Sequence, residues 1–498
     1  MALGAVGLVV TLVTAALFAL LGLVQASRQT VDLESFVVSR NRFGTPMALA
    51  TIVASAMGAW ILFSPPEVGA TSGIAGIIGY CLGQATPAAL FAVMGPRIRH
   101  LMPQGHSLNE YVLHRFGNAM YGVTLVIITF YMFVYLTAEL TAIAKAVDLL
   151  AGVPLWATAL VVMGAVVIYT TVGGLATTIF TDAIQFALIV PLLLLSFAVA
   201  VMALGGWDSA IAPVVQSAPQ LLSLNNGPGW KFGCTLIIAI IAAEMFNQAN
   251  WQRIYACRDD VVVRCSFLGS FLVILPILFL AGLLGILGMH FGFSDDRTFF
   301  ALIQELALAR WLVLAVLVLV LALVMSSLDT LINGIASVFT TDLVRLFPRM
   351  DGAGVLRLAR GLAVLVGIPA IAIAAQGYNV LYLFLLADLV CAGALFPVLF
   401  GLYSRRLSGP MALWSTLIGI GSGALFFPRP DFTPWNGLPW AGDLLVSFIV
   451  PVAVSALICG GWITWVAQQG RTEAFNFGRL QAIRAYGAPS VPPPPPAP

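Results

Sequence analysis

The sequence predicts an all-α integral membrane protein of about thirteen spanning helices, and three observations predict it. The first is composition. Of 498 residues, 60% are hydrophobic and 9% charged, with a mean hydropathy of +1.00, whereas soluble domains carry about 25% charged residues. The second is run length: apolar stretches recur along the chain at the ~20 residues that a helix needs to cross a hydrocarbon core of ~30 Å. The third is the placing of basic residues, which gather in alternate loops.

Taken in order, the spans fall at about 3–26, 46–70, 73–96, 118–150, 154–172, 179–204, 232–254, 264–290, 308–344, 357–376, 379–403, 410–427 and 443–468. The first is read as a retained helix, because it lacks a basic leader and its apolar run is long for a signal peptide. The spans 118–150 and 308–344 exceed a bilayer and must tilt or extend into water. With this set, 18 of the 23 Lys and Arg fall on one side. The positive-inside rule then puts the N-terminus outside and the C-terminus in the cytoplasm of a multi-pass plasma-membrane protein. Residues 1–470 form one transmembrane domain. Residues 471–498, ending in PSVPPPPPAP, read as a Pro-rich cytoplasmic tail without fixed structure. The six Cys have neither metal-ligand spacing nor the look of a disulfide framework.

Two spans are interrupted. The second, TIVASAMGAWILFSPPEVGATSG, carries Gly58 at its centre and Pro65–Pro66 near its end. Proline removes backbone donors, and backbone that unwinds in a membrane needs protein, water or a cation to satisfy it. The seventh, FGCTLIIAIIAAEMFNQANWQRIYACRD, is interrupted by Glu244, Asn247, Gln248, Asn250 and Gln252. The two lie five spans apart, as matching breaks in two halves would, and such breaks point to a transporter binding site. Between the fifth and sixth spans, YTTVGGLATTIFTDAIQ sets a short turn at Gly173–Gly174. Asp182 follows near the start of the sixth, where the helix dipole also favours it.

The ninth span holds a polar group that a lipid-facing helix would not tolerate. WLVLAVLVLVLALVM runs without a polar side chain and is followed by Ser326, Ser327, Asp329, Thr330 and Asn333. An ionised side chain at mid-bilayer costs at least ~2.5–3.5 kcal/mol. Four of these residues keep the three- and four-residue spacing of one helix face, which predicts an oxygen-lined site.

Several segments together resemble the sodium:solute symporter family, whose members have the LeuT-type inverted repeat. They are VDLESFVVSRNRFG at 31–44, ASAMGAW at 54–60, YTTVGGLATTIFTDAIQ at 169–185, FNQANWQRIYACRD at 246–259 and VMSSLDTLINGIASVFTTDL at 324–343. FNQANWQR and PQGHSLNEYVLHRFG look most like the family's urea-active branch. The resemblance implies a 5+5 inverted repeat, spans 2–6 and 7–11, with flanking helices. It implies a main sodium site from carbonyls matching Ala54, Met57 and Leu323 and hydroxyls matching Ser326 and Ser327. A second site in some members matches Asp182, Ser326, Asp329 and Thr330. Oxygen ligands suit a hard cation. The chain departs from the pattern at Ala56, where amino-acid carriers have an aspartate, and at Asp329, where a serine is usual. Asp182 and Asp329 then face one cavity, and like charges favour protonation of one. A proton is therefore the alternative to a second sodium.

The expected activity is Na⁺-coupled symport of a small polar organic solute, such as urea, an amino acid or a small carboxylate, by alternating access. The alternatives are proton-coupled symport of the same solutes and a non-catalytic substrate sensor on a transporter fold. Na⁺ is the coupling ion, and no organic cofactor, nucleic acid or enzymatic chemistry is expected. A monomer in the lipid bilayer suffices. Candidate substrate contacts are Gly58, Ala59, Trp60, Gln84, Glu244, Asn247 and Gln248, whose amide and carboxylate groups both donate and accept. Gln84 also fits a role between helices. Glu139 reads as structural, with Lys145 or a cavity as its partner. Asp388 reads as buried, either gating or paired. Trp251 and Arg253 read as structural or interfacial, and His100, His106 and His114 as members of a solvated basic loop.

Overall fold

The computed structural model describes residues 4–306, 308–469 and 474–486. These are helical almost throughout, with one isolated β-bridge, Phe43 to Cys257. In chain order the helices are α1 (Gly4–Ser27), α2 (Leu33–Val37), α3 (Thr45–Ala56), α4 (Ser64–Leu101), α5 (Leu108–Phe116), α6 (Asn118–Ala151), α7 (Leu155–Ala203) and α8 (Trp207–Ser217). They continue with α9 (Gly227–Glu244), α10 (Gln248–Ala256), α11 (Asp260–Gly288), α12 (Thr298–Glu305), α13 (Arg310–Leu346), α14 (Gly352–Ala374), α15 (Val380–Phe400), α16 (Gly409–Ala424) and α17 (Leu444–Gln468). Among the described residues, nine helices are long and apolar enough to cross a membrane, and ten spans result if the bent pair α9–α10 counts as one.

Local chemistry fixes where helices start. Asp32, Ser107, Asn226, Asn247, Asp259, Asp351, Asn379 and Asp443 each accept a first-turn backbone N–H, the group a helix cannot satisfy internally. Two long helices are kinked part-way. Gly73 in α4 and Gly174 in α7 adopt φ of +66° and +61°, a region that residues with a Cβ avoid. The turn expected at Gly173–Gly174 is made by the second of the two.

α13 is the central post. From Leu319 to Val338 every residue is buried, including Leu328 and Met325 on faces away from the polar group. The helix is therefore enclosed on all sides, whereas its sequence predicts one polar face. It packs against α1, α3, α6, α7, α10 and α14.

Residues 474–486 of the expected tail lie against the body, on the face that carries the basic loops. The Phe475 N–H donates to the Arg405 carbonyl at 2.8 Å. Tyr486 stacks on His106 with ring centroids 3.9 Å apart. The rest of the tail expectation, at 471–473 and 487–498, falls outside the described residues.

Candidate functional site

The break in the second span lies at Met57–Gly58. α3 ends at Ala56, Met57 and Gly58 are extended, and a short 3₁₀ turn, Ala59–Leu62, resumes the path. Carbonyls of the last α3 turn thereby lose their helical partners. Across from them stands α13, and the Ser326 hydroxyl donates to the Ala54 carbonyl at 2.7 Å. The Ser327 hydroxyl turns back to Leu323 O at 3.2 Å. Ala54, Met57, Leu323, Ser326 and Ser327 are all at most 1% exposed. Their three carbonyls and two hydroxyls form the kind of set that takes a hard monovalent cation.

Glu139 of α6 supports the break. Its Oε2 accepts the Ala59 N–H at 2.8 Å, closing the N-terminal end of the second half-helix. A Cβ on Gly58 would lie 1.7 Å from Glu139 Oε1, so glycine is what admits this carboxylate. Lys145, the partner considered for Glu139, is paired instead with Asp296.

The second set of acids is also assembled, with an addition. Asp182 Oδ2 accepts from the Thr51 hydroxyl at 2.5 Å and from the Arg253 guanidinium at 2.9 Å. Arg253 donates further to Thr51 at 3.0 Å and Thr330 at 2.8 Å, and it is 1% exposed. Arg253 is thus the buried counter-charge of Asp182, more than the interfacial residue its sequence position suggests. The available signal was that an arginine flanked by buried apolar positions needs an anion. Asp329 Oδ2 accepts from the Tyr169 and Thr181 hydroxyls at 2.8 and 3.1 Å. Oδ1 of each aspartate has no hydrogen-bond partner among the described residues.

Beside the α3 break lies a narrow cavity. A chain of ring contacts walls it. Trp60 stacks on Tyr80 at 5.5 Å and meets Phe384 at 6.0 Å. Phe384 meets Tyr135 at 4.9 Å, and Tyr135 meets Tyr131 at 5.9 Å. Gln84, Glu244 and Asp388 supply its polar lining. Of the expected substrate contacts, Trp60, Gln84 and Glu244 line it. Gly58 and Ala59 sit behind it against Glu139, and Asn247 donates to Glu244 at 3.2 Å. Gln248 lies elsewhere, donating to His106 O at 2.9 Å and Ser337 at 3.1 Å. Asp388 joins the lining without having been among the expected contacts.

The basic face is closed below this region. Besides Gln248, Gln252 of α10 donates to Asn333 of α13 at 2.9 Å and to Val37 O at 2.5 Å. His106, expected to be solvated, is fully buried, with Nε2 2.8 Å from Glu34 and Nδ1 3.1 Å from Glu110. Burial alone would lower its pKa, but the hydrogen bonds and charges of Glu110 and Glu34 outweigh that and raise it. For Glu34, burial pushes upward, and His106 and Arg40 overcome it, so the carboxyl lies below its ordinary value.

The model of the sodium:solute symporter family matches residues 35–419. A spermidine transporter of Candida albicans, DUR31, is 30% identical over 369 residues, covering 72% of this chain and 67% of the relative. The sodium/proline symporter of Escherichia coli is 25% identical, covering 79% and 82%, and the urea active transporter of Saccharomyces cerevisiae is 20% identical, covering 79% and 58%. Among solved structures, a Na⁺-coupled sialic acid symporter in a substrate-bound outward-open state superposes with a TM-score of 0.75 at 17% identity, covering 95% of this chain and 99% of that one. Mhp1, a nucleobase-cation-symport-1 family transporter, gives 0.58 at 14% identity, covering 87% and 96%. Fold, broken helices and family match agree: the chain belongs to the sodium:solute symporter family and is a membrane transporter rather than an enzyme.

Proposed function

We propose that the chain couples the Na⁺ gradient to uptake of a small polar organic solute, with Na⁺ held by Ala54, Met57, Leu323, Ser326 and Ser327. The carrying observation is the meeting of the α3 break with Ser326 of α13. A cation there ties the two helices together beside the aromatic cavity, so ion binding shapes the wall the solute meets. Release toward the basic face requires parting the Gln248–Ser337 and Gln252–Asn333 contacts, as rocking of one helix bundle against the other would do. We read α3 with the part of α4 before Gly73 as one broken passage, the rest of α4 as the next, and α7 as two, which with α16 gives thirteen in a 5+5 inverted arrangement, the basic face being cytoplasmic. A monomer holds every site residue named.

Relatives are named for spermidine, glucose, proline and urea, so family membership leaves the solute open. The coupling ion has a second reading, carried by one observation. Arg253 already neutralises Asp182, while Asp329 has only neutral hydroxyl donors. Asp329 can therefore hold a proton in place of a second Na⁺. Uptake into proteoliposomes under an imposed Na⁺ or pH gradient tests both readings. Sodium-driven uptake that needs more Na⁺ in Ser326→Ala supports the first. Uptake driven by pH alone and lost in Asp329→Asn overturns it in favour of the second.

A further inference from the structure

Given the symport reading above, on which this inference rests, the cavity lining selects the solute by charge. Two carboxylates from different helices open into it, Glu244 from α9 and Asp388 from α15, and among the described residues no Lys, Arg or His lines it. Asp388 is 4% exposed and accepts no hydrogen bond from a described residue, so the cavity is where its charge is met. Glu244 accepts from Asn250 at 2.9 Å and from Tyr131 at 3.3 Å. It also closes α9, and a helix C-terminus carries partial negative charge that disfavours an anion and favours a cation.

Of the other buried carboxylates among the described residues, Asp182 has Arg253, Asp296 has Lys145 and Glu110 has His106, while Asp329 and Glu139 have neutral donors and lie outside this cavity. Among the described residues Glu244 and Asp388 have no positive partner, and a buried charge without one is costly. The rings of Trp60, Tyr80, Tyr131, Tyr135 and Phe384 add negative faces that attract a cation and apolar area for methylene groups. A carboxylate-bearing solute would add a third negative charge with no base to receive it. A neutral solute would be accommodated only with both acids protonated.

We infer that the transported solute is an organic cation, an aliphatic amine whose ammonium groups pair with Asp388 and Glu244 while its carbon stem lies along the aromatic wall. The test uses the full chain in proteoliposomes under a Na⁺ gradient, with radiolabelled putrescine, spermidine, urea, proline and acetate, and parallel equilibrium binding of the two amines in detergent. The expected result is Na⁺-driven uptake of an amine, without competition from urea or acetate. Asp388→Asn should weaken amine binding about ten- to a hundredfold, the loss of a charge-assisted hydrogen bond, and Asp388→Glu should restore most of it. Sodium-driven uptake of urea, proline or acetate with no amine binding overturns the inference and leaves the symport reading standing. Amine binding without any sodium-driven movement supports the inference and overturns symport instead. Equal loss in Asp388→Asn and Asp388→Glu, both folded by thermal unfolding, overturns the role of charge.

Discussion

Three residues carry most of the chemistry at the smallest scale. Ser326 donates into the end of α3, and Ser326→Ala removes one of five proposed oxygen ligands. The half-saturating Na⁺ concentration for uptake should rise about tenfold or more, read from uptake against Na⁺ at fixed solute. Arg253 and Asp182 are both fully enclosed. Arg253→Met strands a buried carboxylate and should cost about 3–5 kcal/mol, whereas adding Asp182→Leu should recover much of it. A thermal-unfolding cycle over the two single variants and the double measures this coupling, and additive losses would dissolve the pair. Gly58→Ala meets Glu139 at 1.7 Å and should destabilise by about 1–3 kcal/mol through overpacking. At this scale the sequence showed which residues were polar and out of place. It did not show their partners, because Arg253 reaches Asp182 across 71 residues and no local pattern records that. The same limit hid the place of Asp388 in the cavity lining, where its neighbours come from α4, α6 and α9.

Helices and their breaks form the next scale, and these were largely legible. The interruption at Met57–Gly58, the turn at Gly174 and the α9–α10 bend of 58° fall where glycine or clustered polar side chains predict them. What local pattern could not give was the strap at 474–486, because its ordering depends on distant partners. Tyr486 lies on His106, its N–H donates to Glu34 at 3.1 Å, and its hydroxyl meets Thr341 at 2.9 Å. The groups facing His106 are Glu34 of α2, Glu110 of α5 and Tyr486, with Arg40 on Glu34. Because the His106 pKa is raised by folding, its contribution is fully present below its ordinary pKa of about 6.5 and is lost as pH rises through the raised value. Because the Glu34 pKa is lowered, its contribution is present above about 4.3 and is lost as pH falls through the lowered value. Hydrogen-exchange protection of 474–486, corrected for the intrinsic pH dependence of amide exchange, should therefore be greatest between these limits and fall on the alkaline side. Tyr486→Ala should raise exchange across the whole range, and a flat profile in the parent chain would remove His106 from the explanation.

Alternation of access belongs to the whole molecule. Two glutamines of α10 hold the basic face shut onto α13. Gln248→Ala with Gln252→Ala should shift the population toward opening on that face. A single cysteine placed at Ser337, in a background without the six native ones, should then label faster from the basic side; unchanged labelling would mean that other contacts hold this face. Charge counting at this scale gives the arginine a further consequence. Asp182, Asp329 and Arg253 leave one net negative charge when both acids are ionised, and one Na⁺ at the neighbouring oxygens cancels it. On that loading the ion site crosses electrically silent when full and returns as an anion when empty. An inside-negative voltage would then hasten the outward return of the empty carrier, by as much as about 2.3 kcal/mol per 100 mV if the charge traverses the whole field.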